Sequence, residues 1–329
     1  ALNARGETEI VICDRLRDGP KWRNIAKAEI AGFTPPEQLF AFMNEHRNRI
    51  RAVFHLGACS TTTETNADRI ADDNLRYSLS LWNWCAQSNG RLIYASSAAT
   101  YGDGAQGFVD DDSIDGLAKL VPLNAYAWSK HAFDRRAARI AGRTEGVGSW
   151  TRPAAFGDIS VESQSPRQWF GLKFFNVYGP NEVHKGGQRS VAVQLYEQIR
   201  DGGKAKLFHP GPGGPDSTSQ MRRDFVWIGD CVDALLWAFD NPRINGVYNC
   251  GSGDARSFDD LAEAVFKAMK TAANIEHVDM PASLAKSYQY FTQADMKRLK
   301  KSGFPFKPTA LEDGVAQYVA RLAAGDGHL

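Results

Sequence analysis

Residues 92–102, Leu-Ile-Tyr-Ala-Ser-Ser-Ala-Ala-Thr-Tyr-Gly, carry an apolar run that ends on a serine, Ser97, and Tyr126-Ala-Trp-Ser-Lys130 follows. On a helix, positions i and i+4 share a face, so Tyr126 and Lys130 can serve one site. A phenol with its ordinary pKa of about 10 is a poor base at neutral pH. A neighbouring ammonium favours the phenolate and lowers that pKa, and a serine hydroxyl can share a hydrogen bond with the same substrate oxygen. Together these groups can move a proton on or off a carbinol while a nicotinamide takes the hydride. Tyr-x-x-x-Lys alone is a weak signal in a chain with 10 tyrosines. Order strengthens it: the serine run precedes the pair, and Phe174-Phe-Asn-Val-Tyr-Gly-Pro180 and Arg223-Asp-Phe-Val-Trp-Ile-Gly-Asp230 follow.

The elements that must position these groups alternate between strand and helix patterns, which implies a parallel sheet covered on both faces. Strands are predicted at 9–13, 51–57, 91–95, 169–174, 225–228, 247–249 and 275–278. Helices are predicted at 36–46, 67–87, 125–140, 190–200, 229–240, 257–269, 293–301 and 310–322. Residues 141–166, rich in Gly, Ser and Arg, have no period and are expected to form a surface excursion. Residues 210–215, Pro-Gly-Pro-Gly-Gly-Pro, form a second loop, stiff at its prolines and permissive at its glycines.

Composition sets the class. Of 329 residues, 43% are hydrophobic and 23% charged, as in an ordinary globular enzyme. Lys plus Arg (39) nearly balances Asp plus Glu (38), so no global field argues for a nucleic-acid or membrane partner. The five cysteines are dispersed without Cys-x-x-Cys and read as reduced thiols, so a cytoplasmic location is expected. No metal site is expected.

The serine run, the Tyr126/Lys130 pair and the two later segments resemble the extended short-chain dehydrogenase/reductase superfamily in its nucleotide-sugar epimerase branch. The resemblance narrows through residues 55–64 (His-Leu-Gly-Ala-Cys-Ser-Thr-Thr-Thr-Glu), His184-Lys-Gly186 and Tyr290-Phe-Thr-Gln-Ala-Asp295 to the ADP-L-glycero-D-manno-heptose 6-epimerase family. It implies a Rossmann-like, doubly wound parallel α/β sheet with a smaller substrate-binding α/β domain. The cofactor domain would span 1–175 and receive 222–245 and roughly 284–294; the substrate domain would take 176–221, 246–283 and 295–329. The family's strand and Gly-x-Gly-x-x-Gly turn precede the helix whose tail would be residues 1–5, so that segment is expected to lie upstream of Ala1. A chain lacking it is expected to be poorly stable. The literal match Gly102-Asp-Gly-Ala-Gln-Gly107 is rejected, because no helical pattern follows it.

By resemblance, Ser97, Tyr126 and Lys130 act at the reacting carbon. Epimerisation by oxidation and re-reduction needs a second acid/base group on the opposite side, and the resemblance assigns it to Lys185, whose pKa desolvation could lower. Asp14 ends the strand at 9–13, where an acidic residue bonds the ribose 2′-hydroxyl and an adjacent arginine can hold a 2′-phosphate. Arg15, with Lys21 close behind, therefore favours NADP, with NAD possible. Leu56, Gly57, Ala58, Cys59 and Ser60 would approach the cofactor, backed by Asn74, with Val177, Lys130 and Lys185 also touching it. Asn176, Gly187, Gln194, Phe208, Arg223, Tyr288 and Ser97 would contact the nucleotide-sugar substrate, ADP-heptose, in lipopolysaccharide core heptose biosynthesis; a homo-oligomer is expected. Gly187 and Gln194 depart from the family's hydroxyl residue and histidine at those places. A 4,6-dehydratase is disfavoured because Ala98-Ala99-Thr100 carries no carboxylate. The alternatives are another NAD(P)-dependent nucleotide-sugar epimerase, such as the UDP-sugar 4-epimerase type, and a non-catalytic remnant.

Overall fold

The computed structural model describes residues 1–61, 64–142, 164–209, 221–281, 289–325 and 327. The expected excursion at 141–166, the 210–215 loop and Tyr288 lie wholly or mostly outside the described residues. The fold is a Rossmann-like mixed α/β one, in two compact units. One comprises 49–173 and 235–249; the other comprises 1–48, 174–234 and 250–329. The sequence reading grouped 1–48 with 49–175 instead.

The first unit carries the serine strand. Its elements are β3 (Val53–His55), α2 (Ala67–Ile70), α3 (Tyr77–Gln87), β4 (Arg91–Ser97), α4 (Ile114–Ala118), α5 (Ala125–Ala141), β5 (Gln168–Phe174) and β9 (Gly246–Cys250). The sheet order is β3-β4-β5-β9, and β3 pairs parallel to β4 through Val53↔Leu92, Phe54↔Ile93 and His55↔Tyr94. The near-continuous burial of β4 and β5 is that of parallel strands covered on both faces. Between α2 and α3 the helix widens into a π-helical stretch, Ala71–Arg76, which buries Asn74. Trp82, Tyr94 and Phe133 pack edge to face between helices and sheet, with Phe133 ring centroids 6.1 Å from Trp82 and 4.9 Å from Tyr94.

The second unit contains β1 (Val11–Cys13), β2 (Gly32–Thr34), α1 (Leu39–Glu45), β6 (Asn176–Tyr178), α6 (Val191–Gly202), β7 (Ala205–Phe208) and β8 (Arg222–Trp227). The start of α7 (Ile228–Asp240), then β10 (Ala255–Ser257), α8 (Phe258–Ala268), β11 (Ile275–Val278), α9 (Lys297–Lys301) and α10 (Leu311–Ala323) complete it. β1 pairs with β2 in a parallel two-stranded sheet of their own; β6, β8 and β10 form a second sheet, and β7 with β11 a third. The core joins Tyr178, Leu195, Leu207, Leu261, Val265 and Tyr318. Helix α8 opens on a capping box in which Ser257 and Asp260 each accept from the other's backbone N–H, at 2.9 Å.

Most predicted elements are present within a residue or two at each end. The 293–301 helix is shorter than predicted and begins at Lys297, whose N–H donates to the Asp295 carboxylate. Strands β2, β6, β7 and β10 and helix α4 were not predicted. Gly102, Gly104 and Gly107 all have positive φ, and no helix opens at Gly107, in keeping with the rejection of that glycine match.

Candidate active site

Helix α5 starts on an N-cap at Asn124, whose side chain accepts from the Ala127 N–H at 2.8 Å. That start fixes Tyr126 in the first turn and Lys130 one turn later. Ser97 is the last residue of β4, and its hydroxyl lies close enough to the Tyr126 phenol to pull the phenol's pKa down. Lys130, 4% exposed, donates from Nζ to the Ala95 carbonyl at 2.8 Å. Ser97, Tyr126 and Lys130 therefore gather at the carboxyl end of the serine strand, where open α/β sheets bind ligands.

The electrostatics differ from the sequence expectation in one respect. Burial pushes the Tyr126 phenol above its ordinary pKa, against the Ser97 hydroxyl that pulls it down, and the Asp134 carboxylate raises it further. Burial lowers the Lys130 ammonium to about 8, with Asp134 acting in the opposite sense. Desolvation thus outweighs the anticipated lysine-induced acidification of the tyrosine.

Residues 56–60 follow β3, and Leu56, Gly57, Ala58 and Ser60 are exposed. Asn74, wholly buried, clamps this loop: its Oδ1 accepts from the Cys59 N–H at 2.8 Å and its Nδ2 donates to the Cys59 carbonyl at 2.9 Å. The same Nδ2 donates to Ser129 Oγ at 3.0 Å, and Ser129 donates to the Tyr126 carbonyl at 2.7 Å. One asparagine therefore ties the exposed small-residue loop to the helix bearing Tyr126. Behind it, His55 Nε2 meets Ser78 Oγ at 2.7 Å; burial, with the Lys130 charge second, lowers the imidazole to about 3.

The other predicted site residues lie in the second unit. Asp14 accepts from Lys21 Nζ at 2.6 Å, and Arg15 pairs with Glu37, so each cation of the expected 2′-phosphate site already faces a carboxylate. Lys185 sits in the 3₁₀ turn Val183–Gln188 and is exposed, not desolvated as expected; Gly187 beside it is exposed too. That turn is anchored on both sides. Glu182 accepts from the Ser190 N–H and hydroxyl, each at 2.6 Å, and from Tyr318 at 2.9 Å, while Asn24 donates to His184 Nδ1 at 3.0 Å. Gln194 donates to the Arg189 carbonyl at 2.8 Å. Asn176 opens β6 exposed, Val177 follows it half-buried, and Phe208 closes β7 half-buried. Arg223 is buried beneath Phe258, 5.8 Å from its ring centroid, and donates to the Arg222 carbonyl. Asn24 and Tyr318 were missed because the residues they hold, His184 and Glu182, are 160 and 136 residues away.

Comparison with known proteins agrees with this geometry. The profile of the NAD dependent epimerase/dehydratase family matches residues 1–251. The ADP-L-glycero-D-manno-heptose-6-epimerase of Nitratidesulfovibrio vulgaris strain Hildenborough is 43% identical over all of this chain and 94% of its own. That of Fusobacterium nucleatum is 41% identical over all of this chain and 95% of its own. Among solved structures, the Helicobacter pylori ADP-L-glycero-D-manno-heptose-6-epimerase superposes with a TM-score of 0.69 at 23% identity, covering 96% of this chain and 88% of that one. The Thermus thermophilus UDP-glucose 4-epimerase complex with NAD gives 0.70 at 21% identity, covering 98% and 93%. These two show the fold. No helix among the described residues is long and apolar enough to cross a membrane. The chain belongs to the NAD dependent epimerase/dehydratase family and, within it, to the ADP-L-glycero-D-manno-heptose-6-epimerases.

Proposed function

We propose that this protein inverts C6 of the heptose in ADP-D-glycero-D-manno-heptose by oxidation to a ketone and re-reduction, with NADP as the resident cofactor. The observation that carries the reading is the gathering of Ser97 and Tyr126 at the mouth of β4, beside a buried Lys130. The exposed backbone of 56–60, held from behind by Asn74, fits the close approach of a dinucleotide. The dinucleotide, when bound, takes a hydride from C6 and returns it. Asp14, Arg15 and Lys21 are proposed to hold the ribose end of the cofactor; phosphate oxygens would compete with Glu37 for the Arg15 guanidinium.

In this reading Tyr126 holds or releases the proton of the C6 oxygen while Ser97 shares a hydrogen bond with that oxygen. Lys130 fixes the cofactor's ribose and supplies positive charge. Lys185 serves the opposite orientation of the ketone, because a proton must be handled on each face. Asn176, Arg223, Phe208, Gln194, Gly187 and Tyr288 are proposed to contact the sugar nucleotide, with the arginine on its diphosphate. The test is turnover of ADP-D-glycero-D-manno-heptose to its C6 epimer. Tyr126→Phe should lower kcat by about 10²–10⁴-fold with the fold intact; unchanged turnover would remove Tyr126 from the chemistry.

A further inference from the structure

Asp134 and Lys173 form an ion pair at 2.9 Å with side chains 0% and 2% exposed. Burying two charges costs as much as their attraction returns, and apolar replacements are often neutral or stabilising. Stability therefore does not explain the pair, but its hydrogen bonds do. They bracket Ser97. On one side, Asp134 Oδ2 accepts from the Ser96 hydroxyl at 2.6 Å and Oδ1 from the Tyr94 phenol at 3.1 Å. On the other, Lys173 Nζ donates to Thr100 Oγ1 at 2.6 Å, and Thr100 donates to the Ser97 carbonyl at 2.8 Å.

The same carboxylate belongs to α5. Tyr126, Lys130 and Asp134 follow one another at four-residue steps, so they share a helix face. Three elements thus converge on the pair: the end of β4 with its turn, the helix bearing Tyr126 and Lys130, and the end of β5 with Lys173. Tyr101, whose ring lies 5.1 Å from Lys173 Nζ, donates to Asn249 Oδ1 at 2.7 Å and extends the same network to β9.

We propose that the Asp134–Lys173 pair is the positioning element of the reaction centre, setting Ser97 in register with Tyr126 and Lys130. The proposal rests on the catalytic reading of those three residues. Neither member of the pair needs to touch substrate; each acts by fixing the strand end against the helix. An error of about 1 Å in such placement costs on the order of 10²-fold in rate.

The test compares the protein with Lys173→Arg, with Thr100→Val, and with Asp134→Leu combined with Lys173→Met, which removes both charges together. The combined variant should fold and keep its KM while kcat falls by about 10–100-fold, its melting temperature lowered by the stranded Ser96 and Tyr94 hydroxyls. Lys173→Arg keeps the donor and should retain most of the rate. Thr100→Val leaves the ion pair in place but removes both hydrogen bonds of the relay from Lys173 to the Ser97 carbonyl, and should lower kcat by about 10-fold; it carries the test if the combined variant does not fold. In a Tyr126→Phe background the combined substitution should add less than about 3-fold, because groups acting as a unit are non-additive. A full-sized additional loss there would mark general structural damage and overturn the proposal. Unchanged kcat in both the combined variant and Thr100→Val overturns it while leaving Tyr126 in place. An active Tyr126→Phe overturns the catalytic reading, and the proposal with it.

Discussion

Replacing His55 by glutamine should make the protein less sensitive to acid. The imidazole is 7% exposed, bonds Ser78 at 2.7 Å, and is held neutral down to a pKa of about 3 by burial and by the Lys130 charge. In the unfolded chain a histidine takes up its proton near pH 6.5. Between these two values the unfolded state binds one proton that the folded state refuses, so stability falls as pH falls through that window. Each pH unit costs about 1.4 kcal/mol, so lowering the pH from 7 to 4.5 removes about 2–3 kcal/mol through His55 alone. That is a large share of a typical total of about 5–15 kcal/mol. His131, also buried and lowered to about 4, acts in the same direction and remains in the variant. Glutamine keeps a polar contact for Ser78 and does not titrate. Urea unfolding of the parent and of His55→Gln, followed by tryptophan fluorescence at pH 7 and 4.5, gives the comparison; Trp82 and Trp84 lie in the same unit. The variant should lose about 2–3 kcal/mol less over that interval. Equal losses in the two proteins would refute the claim that the folded state excludes this proton.

Three further substitutions probe the second unit. Lys185→Ala should lower kcat by about 10²-fold or more if the lysine is the second acid/base group; a change confined to KM would make it a binding residue. If Arg15 holds a 2′-phosphate, Arg15→Ala should weaken NADP binding by about 10-fold relative to NAD binding in calorimetric titration, and an unchanged ratio would exclude that contact. Asp224, wholly buried, accepts from the Ser252, Gly253 and Ala294 N–H groups and the Ser252 hydroxyl. Asp224→Ala should therefore cost about 3–5 kcal/mol in thermal or chemical unfolding, since each stranded donor costs about 1–3; a loss under about 1 kcal/mol would show that water replaces the carboxylate.

The geometry of the candidate site was legible in the sequence wherever it depended on spacing along one element. Ser97 closes an apolar run that could only be a covered strand, and Tyr126 and Lys130 are one helical turn apart behind an asparagine cap. What pairing does to those groups was not legible. The four-residue step alone predicts a phenol acidified by its lysine, but burial raises the phenol and the ammonium donates to Ala95 instead. Arg15 and Lys21 read as free cations beside a ribose; Glu37, 22 residues on, is the partner that changes the reading. Strands β2, β6, β7 and β10, three or four residues long, are too short to express a period of two and exist because another strand pairs with them. Asp134 was visible one turn beyond Lys130, yet nothing local distinguished it from a solvated helix carboxylate. Its partner Lys173 lies 39 residues away on a strand, and only the folded sheet brings the two together around Ser97. A charge that the period places on a buried helix face, next to reactive groups, is therefore the kind of residue for which a distant counter-ion should be sought.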